Sequence, residues 1–388
     1  MTHLLLAVIY IAFISLGLPD ALLGSAWPLM YPEFQVPVSW AGVVFMIISV
    51  GTVVSSLMSD RLTRRFGTGK VTAFSVGTTA VALLGFSFSR SFPLVCLWAI
   101  PYGLGAGSVD ASLNNYVALH YASRHMSWLH CMWGIGASVG PYIMGGILTM
   151  GLRWNMGYRT IGLLQIALAA LLFCSLSMWK KSGGTEPKQP TPSALTLPQI
   201  LRIPGAVESM VMFFCYCALE QTAGLWASSY LVLHKGVDSE AAAAFASMFF
   251  TGIAIGRAVS GFLTLKLNDT QMIRLGQGII AVGVVVLFLP FGKNLSLAGF
   301  ILIGLGCAPI YPCVIHSTPE RFGAQQSQAV IGVQMASAYI GTSLMPPLFG
   351  LVAEHITVAL LPVYLLMILC VMFLMHEKLL NQQKRGWK

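Results

Sequence analysis

Twelve apolar runs, each long enough to cross a bilayer, constrain this chain more than any other feature. A membrane-spanning helix needs about 20 apolar residues. Runs of that order fall near 4–31, 40–58, 71–89, 92–121, 127–151 and 156–179, and again near 206–233, 241–265, 271–292, 295–318, 327–352 and 356–376. No water reaches the bilayer core to bond a free N–H or C=O, so each run is expected to close its backbone bonds as a helix. Between the two sets, Lys180-Lys-Ser-Gly-Gly-Thr-Glu-Pro-Lys-Gln-Pro-Thr-Pro is polar and rich in Pro and Gly, which marks a linker. The expected fold is an all-α membrane protein with twelve transmembrane helices in two pseudo-symmetric six-helix bundles. The bundles are 1–179 and 206–376, joined by a cytoplasmic linker, 180–205, with a short interfacial helix and followed by a basic cytoplasmic tail, 377–388.

Charge supports the same layout. Only 9% of residues are charged, against about 25% in a soluble domain. With both termini placed in the cytoplasm, sixteen Lys and Arg fall in cytoplasmic segments, five fall outside, and Arg257 lies within a helix. That bias is the positive-inside signal. It accounts for the net charge of +9 without nucleic acid; the expected location is the plasma (inner) membrane. The N-terminus has no Lys or Arg before its apolar run, so it reads as a first membrane helix rather than a cleaved signal. The eight cysteines stand singly in apolar segments apart from Cys215 and Cys217, with neither a disulfide framework nor a zinc spacing. No nucleophile–base or metal constellation marks an enzyme, no cofactor is implied, and no loop is long enough for a sensor's output domain.

Histidines aside, four ionisable side chains sit well inside spans: Asp20, Asp110, Glu220 and Arg257. A carboxylate near the middle of a membrane helix costs roughly 3 kcal/mol on insertion scales, so it is expected to face a partner or a watery cavity. Asn114 lies one turn beyond Asp110 on the same face. Asp20 follows Pro19, which breaks helix bonding, and shares a stripe with Gly24 and Trp27; it either binds or locks a break in helix 1. Glu220 stands between Tyr216 and Gly224, as a substrate or coupling group or as a tie between helices. Arg257 is either a counter-ion or snorkels to the cytoplasmic face. His130 and Trp133 are one turn apart, and His130 either titrates beside a cavity or holds structure by hydrogen bonds.

The halves also repeat. Gly103-Leu-Gly matches Gly304-Leu-Gly, and Gly136-Ala-Ser-Val-Gly-Pro-Tyr-Ile-Met-Gly145 matches Gly341-Thr-Ser-Leu-Met-Pro-Pro-Leu-Phe-Gly350. Two weakly similar six-helix halves suit a transporter that rocks around a central site.

Ser59-Asp60-Arg61-Leu62-Thr63-Arg64-Arg65-Phe66-Gly67-Thr68-Gly69-Lys70, read as the loop between helices 2 and 3, resembles the Asp-Arg-x-Gly-Arg-Lys signature of the major facilitator superfamily, displaced by one or two residues. The resemblance implies a gating latch at Asp60, Arg64 and Arg65. Gly103, Gly105, Asp110 and Asn114 are similar to helix 4 of the fucose permease-like branch of sugar/proton symporters, with Asn115 for proline and Asp for the usual Glu. Tyr216, Glu220, Gln221, Gly224, Trp226 and Tyr230 resemble that branch's seventh helix. The branch's Asn-rich run ending in Asp is here Leu18-Pro19-Asp20, and the resemblance extends a coupling role to Asp20.

A sugar needs aromatic faces and groups for its hydroxyls, because unpaired polar groups in a buried site are expensive. Candidates are Asp20, Trp27, Asp110, Asn114, Trp133, Glu220, Gln221, Trp226, Tyr311 and Gln334, with Asp110, Asp20 and Glu220 for ion coupling. The expected protein is a monomeric importer of a small hydroxylated solute, a monosaccharide, by symport with a proton or sodium. The alternative is a proton-coupled exporter of drugs or amphiphiles, suggested by Gly136-x-x-x-Gly140-Pro141-x-x-x-Gly145-Gly146, close to the helix-5 signature of superfamily antiporters.

Overall fold

The computed structural model describes residues 2–20, 22–37, 40–182, 195–237, 239–289 and 292–386. Most of the expected linker, 183–194, and the last residues of the tail, 387–388, lie outside them. The chain is all-α in these residues: α1 Thr2–Gly17, α2 Leu22–Glu33, α3 Ala41–Phe66, α4 Thr68–Phe88, α5 Phe92–His120, α6 Ser123–Thr149, α7 Trp154–Cys174 and α8 Leu176–Ser182 come first. There follow α9 Leu197–Leu201, α10 Ala206–Leu233, α11 Ser239–Leu263, α12 Asp269–Phe288, α13 Lys293–Cys307, α14 Ile310–His316, α15 Thr318–Phe322, α16 Ala324–His355 and α17 Leu361–Gly386. Ten spans among the described residues are long and apolar enough to cross a membrane; α10 and α11 stand where the sequence places the other two.

The chain forms two compact units, Met1–Tyr116 with Leu129–Leu195, and Val117–Trp128 with Thr196–Lys388. In the first, α5 runs between α3 and α4. A Cβ on Gly103 would meet the carbonyl of Ile48, one on Gly107 that of Thr52, and one on Gly105 that of Ser75. In the second, α13 runs between α11 and α12, with Gly304 against the carbonyl of Phe249 and Gly306 against that of Gly276. The Gly-Leu-Gly repeat thus does one job twice: it lets a helix lie between two neighbours at backbone distance. The second repeat behaves alike. Gly136 abuts the Ile14 carbonyl of α1, and Gly341 abuts the Phe214 carbonyl of α10.

Two elements differ from expectation, while the break in the first span follows the sign that Pro19 gives. Ser59–Phe66 is not loop but the last two turns of α3, which ends only at Gly67, where φ is +80°. Arg64 Nε donates to both carboxylate oxygens of Asp60 one turn back, at 2.9 and 3.0 Å, and so supports the helix through these charges. Arg65 lies over Phe66, 5.2 Å from its ring centre. The expected tenth span is divided at Ala308-Pro309 into α13 and α14. The first divides at residues 18–20 into α1 and α2, because Pro19 has no N–H to give.

Within the second unit, His316 Nδ1 meets Asp269 Oδ2 at 2.6 Å and its Nε2 meets the Tyr121 carbonyl at 3.1 Å. Ser123 donates to the other oxygen of Asp269 at 2.5 Å.

Candidate functional site

Among the described residues each unit holds a cluster of charge and aromatic rings that includes sequence candidates, and in the first unit close helix contacts build it. In the first unit, Gly17 leaves no room for a Cβ against the Trp133 carbonyl, and Gly140 is equally tight against that of Leu18. This approach of α1 to α6 brings Trp133 beneath the break after α1. Its indole Nε1 donates to Asp20 Oδ2 at 2.8 Å. Tyr102 of α5 donates its hydroxyl to Asp20 Oδ1 at 3.4 Å. Asp20 as a residue is exposed even so, with its carboxylate held from two sides.

Asp110 is buried and lies within electrostatic reach of Asp20. Asn114 Nδ2 donates to Asp110 Oδ1 at 2.8 Å and to its backbone carbonyl at 3.0 Å. His130 Nε2 lies 3.1 Å from Asn114 Oδ1, with Phe13 edge-on to the imidazole. The unit therefore brings Asp20, Asp110, Asn114, His130 and Trp133 into one neighbourhood. Trp27 packs edge-on against Phe92 in the apolar core.

In the second unit, the Tyr216 hydroxyl donates to Glu220 Oε2 one turn along α10. Arg257 Nη2 stands 3.7 Å from Glu220 Oε1 and is buried, so it is a counter-ion here rather than a snorkelling side chain. Tyr311 at the start of α14 meets Phe213 and Tyr216 edge-on, at 4.7 and 6.1 Å between ring centres. Its hydroxyl donates to Met335 Sδ at 3.1 Å. The result is a carboxylate beside three aromatic rings, the chemistry that suits an apolar ring face with hydroxyls at its rim.

The remaining candidates belong to the same unit. Gln334 is fully buried, its Oε1 accepting from Thr318 at 3.1 Å and its Nε2 donating to Ser209 at 2.6 Å. Trp226 donates to the Pro346 carbonyl and packs on Phe349. Gln221, next to Glu220, is exposed.

Tyr102 and Phe213 were not among the sequence candidates. Phe213, Tyr216 and Glu220 recur at i, i+3 and i+7, a helical stripe that could have disclosed Phe213. Tyr102 carries no such signal, since its role depends on a helix eighty residues away in sequence.

A family model described as Major Facilitator Superfamily matches residues 9–346 and 209–386. Among curated relatives, Bypass of stop codon protein 6 of Saccharomyces cerevisiae is 23% identical over 390 residues, with 91% of this chain and 77% of the relative covered. The glucose/mannose transporter GlcP of Bacillus subtilis is 21% identical over 349 residues, covering 88% and 86%. Of solved structures, FucP, described as a Major Facilitator Superfamily transporter in the outward conformation, is similar at a TM-score of 0.78 and 14% identity, over 96% of this chain and 97% of that one. At such identity the structural likeness concerns the fold alone.

Proposed function

The chain belongs to the Major Facilitator Superfamily, and we propose that within it the protein imports a small hydroxylated solute, a monosaccharide, by cation symport with alternating access. The family is one of transporters rather than enzymes, and the apolar helices make this a multi-pass membrane protein. The observation that carries the proposal is the setting of Asp20, a carboxylate at a helix break, exposed yet held by one indole and one phenol. A hydroxylated ring can replace water on such a carboxylate while the aromatic groups cover its apolar face. The aromatic trio beside Glu220 offers the same chemistry in the second unit. A glucose/mannose transporter among the relatives is consistent with this substrate class.

Asp20 and Asp110 are like charges within reach of each other, so taking up a cation relieves their repulsion. That cation is the proton, with sodium as the alternative. Coupling requires that cation and solute together stabilise one access state over the other; tight binding alone shifts nothing. The protein acts as a monomer in the plasma membrane with both termini in the cytoplasm. The alternative is a proton-coupled exporter of drugs or amphiphiles on the same fold; of the run that suggests it, Gly136 and Gly140 pack α6 on α1.

The test is uptake of radiolabelled D-glucose, D-mannose, L-fucose and D-xylose by proteoliposomes under an imposed pH gradient, a sodium gradient, or neither. Accumulation of at least one sugar above its external concentration, abolished by collapsing one gradient, supports the proposal. Absence of sugar uptake together with gradient-driven extrusion of amphiphilic dyes overturns it.

A further inference from the structure

The proposed coupling at Asp110 leaves the buried His130 without a role. His130, on α6, meets the amide that touches one of the two carboxylates. Asn114 can be oriented without ambiguity. Its nitrogen lies within hydrogen-bond distance of the Asp110 backbone carbonyl, a group that only accepts. The amide nitrogen must therefore face Asp110, and the amide oxygen must face His130. An amide oxygen also only accepts, so His130 must present an N–H at Nε2.

We propose that His130 is a positioning residue for Asp110: its Nε2–H holds the Asn114 amide so that Nδ2 stays on the carboxylate. All three side chains are buried, and Phe13 packs T-shaped on the imidazole with ring centres 5.5 Å apart. A reversed amide would set its oxygen against the Asp110 backbone carbonyl, and it would need a proton on Asp110 and a bare Nε2 on His130. Protonation of Asp110 and the proton position on His130 are thereby linked through one amide. Trp133, three residues further along α6, donates to Asp20, so a single helix face serves both carboxylates. Adjustment of α6 alters the hydrogen bonding of the two together.

This inference rests on Asp110 as a coupling group, and its test separates the two. Histidine-15N NMR of the full chain in lipid nanodiscs, with the His130 signals assigned by their loss in His130→Gln, reads the ring directly. A protonated Nε2 whose resonance moves in Asp110→Asn is expected. A bare Nε2, or a resonance indifferent to Asp110→Asn, overturns the inference whether or not any sugar is transported. In proteoliposomes, His130→Leu is expected to displace the pH profile of D-glucose uptake by about one unit, a tenfold change in proton concentration. His130→Gln, which can offer an N–H, is expected to restore it. A His130→Leu profile identical to wild type overturns the positioning role. Absence of uptake of all four sugars by the wild type instead counts against the transport proposal and leaves the NMR result to decide.

Discussion

Replacing Trp133 with Phe removes the N–H that donates to Asp20 Oδ2 while keeping an aromatic ring over the same backbone. A hydrogen bond to a charged acceptor is worth about 1.5–3 kcal/mol, and the exposure of Asp20 sets the lower end as the guide. Trp133→Phe is therefore expected to lower kcat/KM for sugar uptake about tenfold with little change in thermal midpoint; equal kinetics to wild type would show that the indole does not serve the carboxylate. Arg257 poses a different balance. It is buried beside Glu220, and removing one partner of a buried pair leaves the other charge uncompensated. Arg257→Met is expected to destabilise the protein by about 3 kcal/mol, and adding Glu220→Gln to recover part of that loss. Thermal unfolding of both variants in the same detergent checks the order.

At the scale of helices, glycines decide which contacts exist. Gly103 and Gly304 have no room for a Cβ, because each faces a carbonyl of the neighbouring helix. Gly77 in α4 and Gly278 in α12 meet nothing within 4 Å. Ala at Gly77 or Gly278 is expected to stabilise by about 0.5–1 kcal/mol, the usual helix-interior gain over Gly. Ala at Gly103 or Gly304 is expected to destabilise by about 1–3 kcal/mol through overpacking. Opposite signs within each pair, read from thermal midpoints, are the expected outcome; a common sign at Gly77 and Gly103 would mean that close approach does not govern α5. The breaks matter as much as the contacts. Pro19 was visible as a breaker and Asp20 falls at the break, whereas Ala308-Pro309 lies inside an apolar run and does not stand out until α13 and α14 are seen apart.

For the molecule as a transporter, coupling and exchange can be separated. Asp110→Asn keeps a polar side chain beside Asn114 but cannot take a proton. It is expected to abolish uphill accumulation while sparing exchange of labelled for unlabelled sugar across proteoliposomes; retained uphill uptake would remove Asp110 from the coupling step. The twelve-run layout was legible because hydrocarbon forces whole spans to be apolar. The Asp110–Asn114 pair was legible because one helical turn brings the two together. The other partners were not, since Tyr102, Trp133 and Arg257 reach their carboxylates across helices, and no local spacing encodes that. Asp60 and Arg64 looked like loop charges because strong charge usually ends a span, yet their pairing lets α3 continue through them.

The doubled glycine contacts separate assembly from cargo. A helix seated against neighbouring carbonyls takes its register from where side chains are forbidden, not from which side chains are present. The first unit can therefore carry two carboxylates and the second an ion pair on the same scaffold. Someone re-engineering this protein for another solute has positions 20, 102, 133, 213 and 311 to vary, and positions 103, 105, 304 and 306 to leave untouched.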